Sequence, residues 1–447
     1  MLVSTRKPFP NDSVHISTDT RTLEPGDFFV PLLGENFDGH DHIDSAFTKG
    51  ACGAFVAESK FKPAWEQHPN IITVENPVVA YLQVARLHRR RINPVVIALT
   101  GSSGKTTTKD MLFATFSPLV KTQCTQKNFN NEVGVAQTLL ALEADTRLLI
   151  VEMGMRGLHQ IDLLSIHAEP DIALITNIGP AHIGLLGSLE NIVLAKLEIS
   201  EGLKGDGYLV LNGDSPMLTE QSRSIWYGQT RQYQLADASD IQPTAEGGVQ
   251  FTYKKHPVTL SLPGMHQVSN ALGVIKVGEL LDFTIEEMLP GLTQFKPIGG
   301  RWNKDALSGH TDAFLINDAY NANPDSFKAS LEAFLSLPET HKRILILGGM
   351  KELGDFSDHY HQELGQWLGQ QSGIDAVFTV GSEAEMMASA LEKPDYFIHH
   401  APNVEETIVA LKNRYASFDG CALFLKGSRA NGLEKIAEAL NSVPSAH

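Results

Sequence analysis

The sequence predicts an α/β protein of three unequal domains, and three observations carry that reading. From residue 95 onward, short apolar runs alternate with stretches of helical periodicity, the pattern of βαβ units forming a parallel sheet covered by helices. That alternation is interrupted over 231–262 and then resumes in a second series after residue 301. At 447 residues the chain is also longer than one hydrophobic core normally serves, so two to three domains are expected.

The first ninety residues read as a small α/β unit, with strand-like runs at 27–31, 53–56 and 71–74 separated by turn residues. A helix over 78–91 ends in RLHRRR before Asn93 and Pro94; arginines in a last turn suit the helix dipole, and a solvated C-terminus is expected. A boundary there gives a first domain of 1–92. VVIALT, LLIVEMG, DIALITNIG and GYLVLN then supply the strands of a central parallel sheet. HPVTLSLPG, within 231–262, suggests an antiparallel insert before a helix starting near His266. A second boundary at FKPIGGRW closes a central domain of 93–297. Beyond it AFLINDAY, RILILGG, DAVFTVG, DYFIHH and GCALFLKG predict another parallel sheet, a Rossmann-like domain of 298–447. No repeat at solenoid or propeller periods is visible.

Composition narrows the function. The formal charge of -16, from 36 basic and 52 acidic residues, disfavours nucleic acid and anionic membranes, which need a positive field. Cys52, Cys124 and Cys421 lie far apart without CxxC spacing, which suggests neither a disulfide framework nor a zinc knuckle and fits a reducing cytoplasm. No apolar run of about 18 residues occurs, and the start MLVSTRKPFPND lacks the apolar stretch of a signal peptide. A cytoplasmic protein without membrane insertion is expected.

The chemistry centres on LTGSSGKTTTKDM at 99–111. Measured from Lys105, the P-loop spacing G-x-x-x-x-G-K-[ST] requires glycine at 99, where Leu99 stands. The placement nevertheless suits phosphate: the loop follows strand-forming residues 95–100 and precedes a helix-compatible run, so backbone N–H groups converge on an anion. Gly101, Ser102, Ser103, Gly104, Lys105, Thr106 and Thr107 would form the cradle of a shortened P-loop-type ATPase domain. In it Lys105 bridges β and γ phosphates, and the Thr106 hydroxyl faces Mg²⁺. Glu152 closes a buried strand, where an ion is costly unless a cation compensates it at the sheet edge. His182 lies in a loop at the same edge. Lys196 sits on an amphipathic helix, where a solvated lysine is the ordinary reading.

Taken in order, TGSSGKTTTKDM, NFNNEVG, VEMG, NIGPAHIG, SLENIVLAKLEI, MHQVSNALG, GGRWN, INDAYNANPDS and FLKGSRANGLE resemble the Mur ligase family. The resemblance runs from TDTR at 18–21 to KGSR at 426–429, and within the family it is narrowest to the branch that adds a dipeptide. Members use T-G-x-x-G-K-[ST], so no glycine is expected at 99. The resemblance implies that ATP converts the terminal carboxylate of a UDP-muramoyl-tripeptide to an acyl phosphate, which the amine of D-Ala-D-Ala attacks. It implies two Mg²⁺ ions, one held by Thr106 and Glu152, the other by His182 and a carbamylated Lys196. Lys105, Lys196 and His182 are the implied catalytic residues.

Asn131 matches an asparagine near the nucleotide, with Asn128 and Asn130 as alternates. Asn270 matches the adenine-side asparagine, with His266 one turn away; helix N-cap chemistry after Pro263 and Gly264 is the competing reading. Arg301 is implied on the phosphates and Asp318 at the ribose. Tyr320, Asn321, Asn323 and Ser326 fall where the family handles its amino substrate. Lys426 and Arg429 suit either a substrate carboxylate or phosphate, or a solvated loop. Asp19, Thr20, Arg21, Phe37, Gly39 and His40 are the implied contacts to the UDP-muramoyl peptide. One departure stands out: Gly184 and Leu185 occupy positions where members often carry an acid after Ala181 and His182. A monomer that closes around its substrates is expected. A P-loop kinase or GTPase would leave the third domain unexplained, and a nucleotide-sensing protein would not need Glu152, His182 and Lys196 together.

Overall fold

The structure, a computed structural model, describes residues 14–441 apart from 35, 69, 298, 339 and 392–394. The N-terminal run 1–12 and the first residue of the expected third domain, 298, therefore lie outside the described residues.

Three main sheets carry the described residues, with a three-stranded and a two-stranded sheet beside them. The first is a four-stranded parallel sheet of Ile16–Ser17, Phe28–Phe29, Gly53–Ala57 and Ile71–Val74, neighbours in that order. The second is a six-stranded parallel sheet ordered Gln229–Tyr233, Tyr208–Asn212, Ile172–Ile175, Val95–Thr100, Leu148–Glu152, Thr122–Cys124. The third, also six-stranded, is parallel except for the edge strand Asn303–Ala306, which runs antiparallel to Phe314–Asp318. That antiparallel edge has no counterpart in the sequence reading.

The strand Val95–Thr100 shows why the central sheet is buried on both faces. Val96 and Ala98 join one apolar cluster while Ile97 and Leu99 join the other, as period-two side chains must. The second face is covered by the helix Met265–Leu280 and by the antiparallel strands Ala238–Pro243, Val249–Tyr253 and His256–Leu260. In Val249–Tyr253 the alternate residues Val249, Phe251 and Tyr253 are buried. The insert starts later than the sequence suggested: Gln229–Tyr233 pairs in parallel with Tyr208–Asn212, because Tyr233 is buried against the sheet and donates to Thr176 O at 3.1 Å.

The helix Pro77–Ile92 begins where Asn76 Oδ1 accepts from Val78 N at 2.9 Å, and ends at Asn93, whose φ of 53° leaves the helical region. Its arginine-rich end is solvated as expected at Arg90 and Arg91, but not at Arg89. Arg89 is 1% exposed and donates to Ala168 O and Glu169 O, both at 2.9 Å, so it caps the helix Ile161–Ala168 of the central domain. Arg86 reaches Glu169 Oε1 at 2.5 Å, and Arg90 pairs with the same carboxylate. Glu169 is a distant partner in sequence, which is why local pattern gave no hint of it.

No helix among the described residues is long and apolar enough to cross a membrane. Cys52, Cys124 and Cys421 are free.

Candidate active site

Parallel strands bring their C-terminal ends to one edge, and the loop after Val95–Thr100 leaves that edge between neighbours running off to either side, the usual position of a ligand crevice. The loop is tightly fixed. Ser103 N donates to Asn177 Oδ1 and Asn177 Nδ2 to Ser103 Oγ, each at 2.8 Å, while Ser102 Oγ exchanges two 2.9 Å bonds with the backbone of Gly179. Gly104, at φ +75°, leads into the helix Lys105–Phe116, and a Cβ there would lie 2.8 Å from Asn270 Oδ1. The turn's positive φ favours glycine, and a side chain there would also displace the Asn270 amide. Lys105 Nζ donates to Gly101 O at 2.7 Å.

The loop opens onto a cleft of about 940 Å³. Glu152, 1% exposed, accepts from Asn130 Nδ2 at 2.7 Å on Oε1, while its buried Oε2 has no hydrogen-bond partner. A buried carboxylate oxygen left unpaired costs free energy, and a cation is the partner that would recover it. Asn130, an alternate in the sequence reading, is the asparagine on Glu152. Asn131 instead caps the helix Glu132–Leu140 by accepting from Gly134 N at 3.0 Å, though it too lines the cleft.

Lys196 is 1% exposed, not a solvated helix lysine, and burial together with the positive charge of Lys105 holds its pKa well below the ordinary lysine value. Burial also lowers the pKa of Lys105, against the pull of Glu152. His182 Nδ1 lies 2.6 Å from Glu352 Oε2. His182 and burial act in opposite senses on Glu352, and the histidine prevails, holding the carboxyl below its usual range. Among the described residues no three His, Cys, Asp or Glu side chains converge as a metal cluster, so a cation here would depend on Glu152 with donors such as Thr106 and Lys196.

The third domain forms the far wall. Arg301 Nη2 donates to Thr106 Oγ1 at 3.0 Å, and its guanidinium lies 4.2 Å from the Tyr320 ring centroid, with Arg429 at 5.5 Å. Asp318 is held on every side: Oδ1 accepts from Trp302 N at 3.1 Å, and Oδ2 from Ser330 Oγ and Lys426 Nζ at 2.7 Å each. Lys426 is 3% exposed, which replaces the solvated-loop reading with a buried ion pair. Asn323 and Ser326 form a capping box on the helix Pro324–Leu335, and Asn323 Nδ2 donates to Ser102 O at 3.2 Å across the cleft. Asn321 Oδ1 accepts from Ala322 N at 2.9 Å. His266 is half-buried, its pKa pushed down to about 4 by desolvation. Neither it nor Asn270 caps the helix that carries them, since the N-cap is Gly264.

The sequence matches the descriptions Mur ligase family, catalytic domain over 13–95, Mur ligase middle domain over 99–278, and Mur ligase, glutamate ligase domain over 301–429. A relative from Bacillus subtilis, named UDP-N-acetylmuramoyl-tripeptide--D-alanyl-D-alanine ligase, is 37% identical over 439 residues, covering 96% of this chain and 93% of its own length. The chain belongs to the Mur ligase family. Two solved structures resemble this Mur ligase over nearly its whole length. MurF from Acinetobacter baumannii aligns with a TM-score of 0.86 at 29% identity, covering 96% of this chain and 93% of its own. MurF ligase from Thermotoga maritima in complex with ADP aligns at 0.84 and 29%, covering 96% and 97%.

The first-domain candidates of this Mur ligase lie apart from the cleft, to which that domain contributes Leu32. Asp19 and Arg21 pair with each other at 2.7 Å, Thr20 O accepts from Lys49 Nζ at 2.6 Å, and Phe37 stacks with His42 at 5.4 Å between centroids. Gly39 and His40 serve the framework. A Cβ at 39 would sit 2.6 Å from Leu32 N, and buried His40 accepts from Ala57 N at 3.0 Å while its Nδ1 lies 2.7 Å from Asp38. Arg156 and Glu352 are among the cleft residues that escaped the sequence reading. The second follows the strand Lys342–Gly348 at its C-terminal end, a position that could have flagged it.

Proposed function

We infer that this Mur ligase joins D-alanyl-D-alanine to UDP-N-acetylmuramoyl-tripeptide with ATP, in the cytoplasmic synthesis of the peptidoglycan precursor. The observation that carries the reading is a single cleft into which a P-loop-type turn, a buried carboxylate and a third-domain arginine all face. Its support from relatives is the name of the 37% identical Bacillus subtilis protein.

The chemistry follows from the reactants. A carboxylate resists amine attack because its oxygen is a poor leaving group. Its oxygen therefore first attacks the γ-phosphorus, expelling ADP, and the dipeptide nitrogen then attacks the carbonyl carbon, expelling phosphate and losing a proton. What the protein supplies is position and positive charge. In this reading the loop 101–107 and Asn270 hold the nucleotide, with Asn131 beside it. Lys105 and Arg301 face the transferring phosphate, and Thr106 would hand its hydroxyl from Arg301 to the metal. Asp318, with its carboxylate already fixed by Lys426 and Ser330, would present an oriented oxygen to the ribose.

The donors fit magnesium: the unpartnered Glu152 Oε2 with Thr106 would hold one ion, His182 and a carbamylated Lys196 a second. Bound magnesium would share the negative charge that gathers on the phosphate oxygens. Lys196 suits carbamylation because a desolvated lysine is neutral, and only a neutral amine adds to carbon dioxide. We assign 1–92 to the UDP-muramoyl peptide through Asp19, Thr20, Arg21 and Phe37, 93–297 to ATP, and 298–447 to the dipeptide near Tyr320, Asn321, Asn323 and Ser326.

A phosphate-release assay with ATP and UDP-muramoyl-tripeptide tests the reading. Release should depend on added D-Ala-D-Ala, and turnover that ignores the dipeptide would refute the assignment.

A further inference from the structure

The third domain meets the central domain at a second point, away from Arg301. The loop after the strand Lys342–Gly348 lies against the turn that carries His182. Gly184 N donates to Glu352 O at 3.2 Å. A Cβ on Gly184 would lie 2.5 Å from Leu353 C and would also strike Gly354 N, while one on Gly354 would lie 2.9 Å from Gly184 Cα. The obstacles are backbone atoms, which cannot swing aside, so the two strands of chain touch only because both residues are glycine.

That contact delivers a carboxylate. Glu352 Oε2 stands 2.6 Å from His182 Nδ1, and Oε1 stands 3.5 Å from Arg156 Nη2, so both oxygens face nitrogen-bearing side chains of the central domain. Glu352 and His182 both hold left-handed backbone, at φ 64° and 66°. Such backbone is strained in a residue other than glycine, and strain of this kind persists where the surroundings over-determine it. No acidic residue occurs in the His182 turn itself, 180–187.

We propose that Glu352 is a positioning residue for His182, brought to it from the third domain, and that Gly184 and Gly354 are glycines so that the loop bearing it can dock. The His182 ring is then oriented only when the two domains are together, which ties assembly of the cleft to closure. The kinetic part rests on the ligase reading above; the docking part does not.

Two measurements test it. Glu352→Gln, nearly isosteric, should lower kcat roughly 10- to 100-fold, the usual cost of losing a partner that orients a metal-site histidine, with the ATP KM within about threefold. In a His182→Ala background the same change should have little further effect, because its target is gone. An undiminished kcat in Glu352→Gln, or an equal loss with and without His182, overturns the proposal. Small-angle scattering of the full chain with magnesium and a non-hydrolysable ATP analogue should show a larger radius of gyration for Gly184→Ala than for the parent, and an unchanged value overturns the docking claim. Should Gly184→Ala fail to fold, Gly354→Ala takes its place. A parent enzyme inactive with the named substrates would sink the ligase reading while leaving the scattering result decisive.

Discussion

The two joints of this protein are built from different materials. Between the first and central domains, the helix Pro77–Ile92 buries Tyr81, Leu82 and Ala85 in one apolar cluster with Val135, Leu139 and Leu164, and Arg89 closes the end of a central-domain helix with almost no exposure. Between the central and third domains the apolar cluster continues, through Ile183 and Leu186 on one side and Phe327, Met350 and Leu353 on the other, but polar contacts also cross a cleft of about 940 Å³: Arg301 to Thr106, Asn323 to Ser102, and Glu352 to His182. Buried apolar area with a satisfied arginine is expensive to separate, whereas polar groups beside water exchange partners at little net cost. The first joint is a fixed one. The second has the composition of a working one, where the groups that touch across it include those assigned to phosphate, metal and dipeptide.

That contrast can be broken or sharpened by substitution. The largest effect should come at the working joint: Lys105→Ala is expected to cut phosphate release about 1000-fold, by removal of charge stabilisation of the phosphoryl group. Its melting temperature should not fall, since a desolvated lysine is lost. At the fixed joint the signature should reverse. Arg89→Ala leaves Ala168 O and Glu169 O without their donor and should cost about 3 kcal/mol in denaturant unfolding, with kcat per folded molecule preserved. A lowered kcat in that variant would break the distinction.

Glu169→Gln should cost about 2 kcal/mol at pH 7, and its pH dependence sharpens the point. Burial alone would raise the Glu169 pKa, but Arg90 and Arg86 more than reverse this and hold it at about 2, below the reference 4.5. Because the folded value is the lower one, the stabilisation is complete above pH 4.5 and is lost as pH falls toward 2. The gap between parent and variant in urea midpoints should therefore close over that window. The smallest effect is expected of Asn323→Ala, which removes a helix cap and one bond to the glycine loop: about 1 kcal/mol of stability, read by thermal unfolding.

Much of this molecule was legible in order along the chain. Strands with period two or continuous apolar character, and a glycine turn between a strand and a helix, are local facts. They predicted the central and third sheets and placed Gly104, Lys105 and Thr106 at a helix start. Glu152 was legible too, as an acid ending a buried strand, a local conflict that only a ligand resolves.

Other features depended on partners far away in sequence. Nothing near Arg89 announces Ala168, nothing near Lys426 announces Asp318, and nothing in NPDS distinguishes a substrate contact from the capping box it forms. Lys196 read as a solvated lysine on its own helix and is instead among the most buried titratable side chains in the cleft. The sequence by itself determined which segments are strands and helices and which turn can hold a phosphate, because those rest on backbone geometry and side-chain period. Tertiary structure alone decided which charges are desolvated, which asparagine meets Glu152, and that a glutamate from one domain faces a histidine of another, because burial and Coulomb energy depend on distances that chain order does not encode.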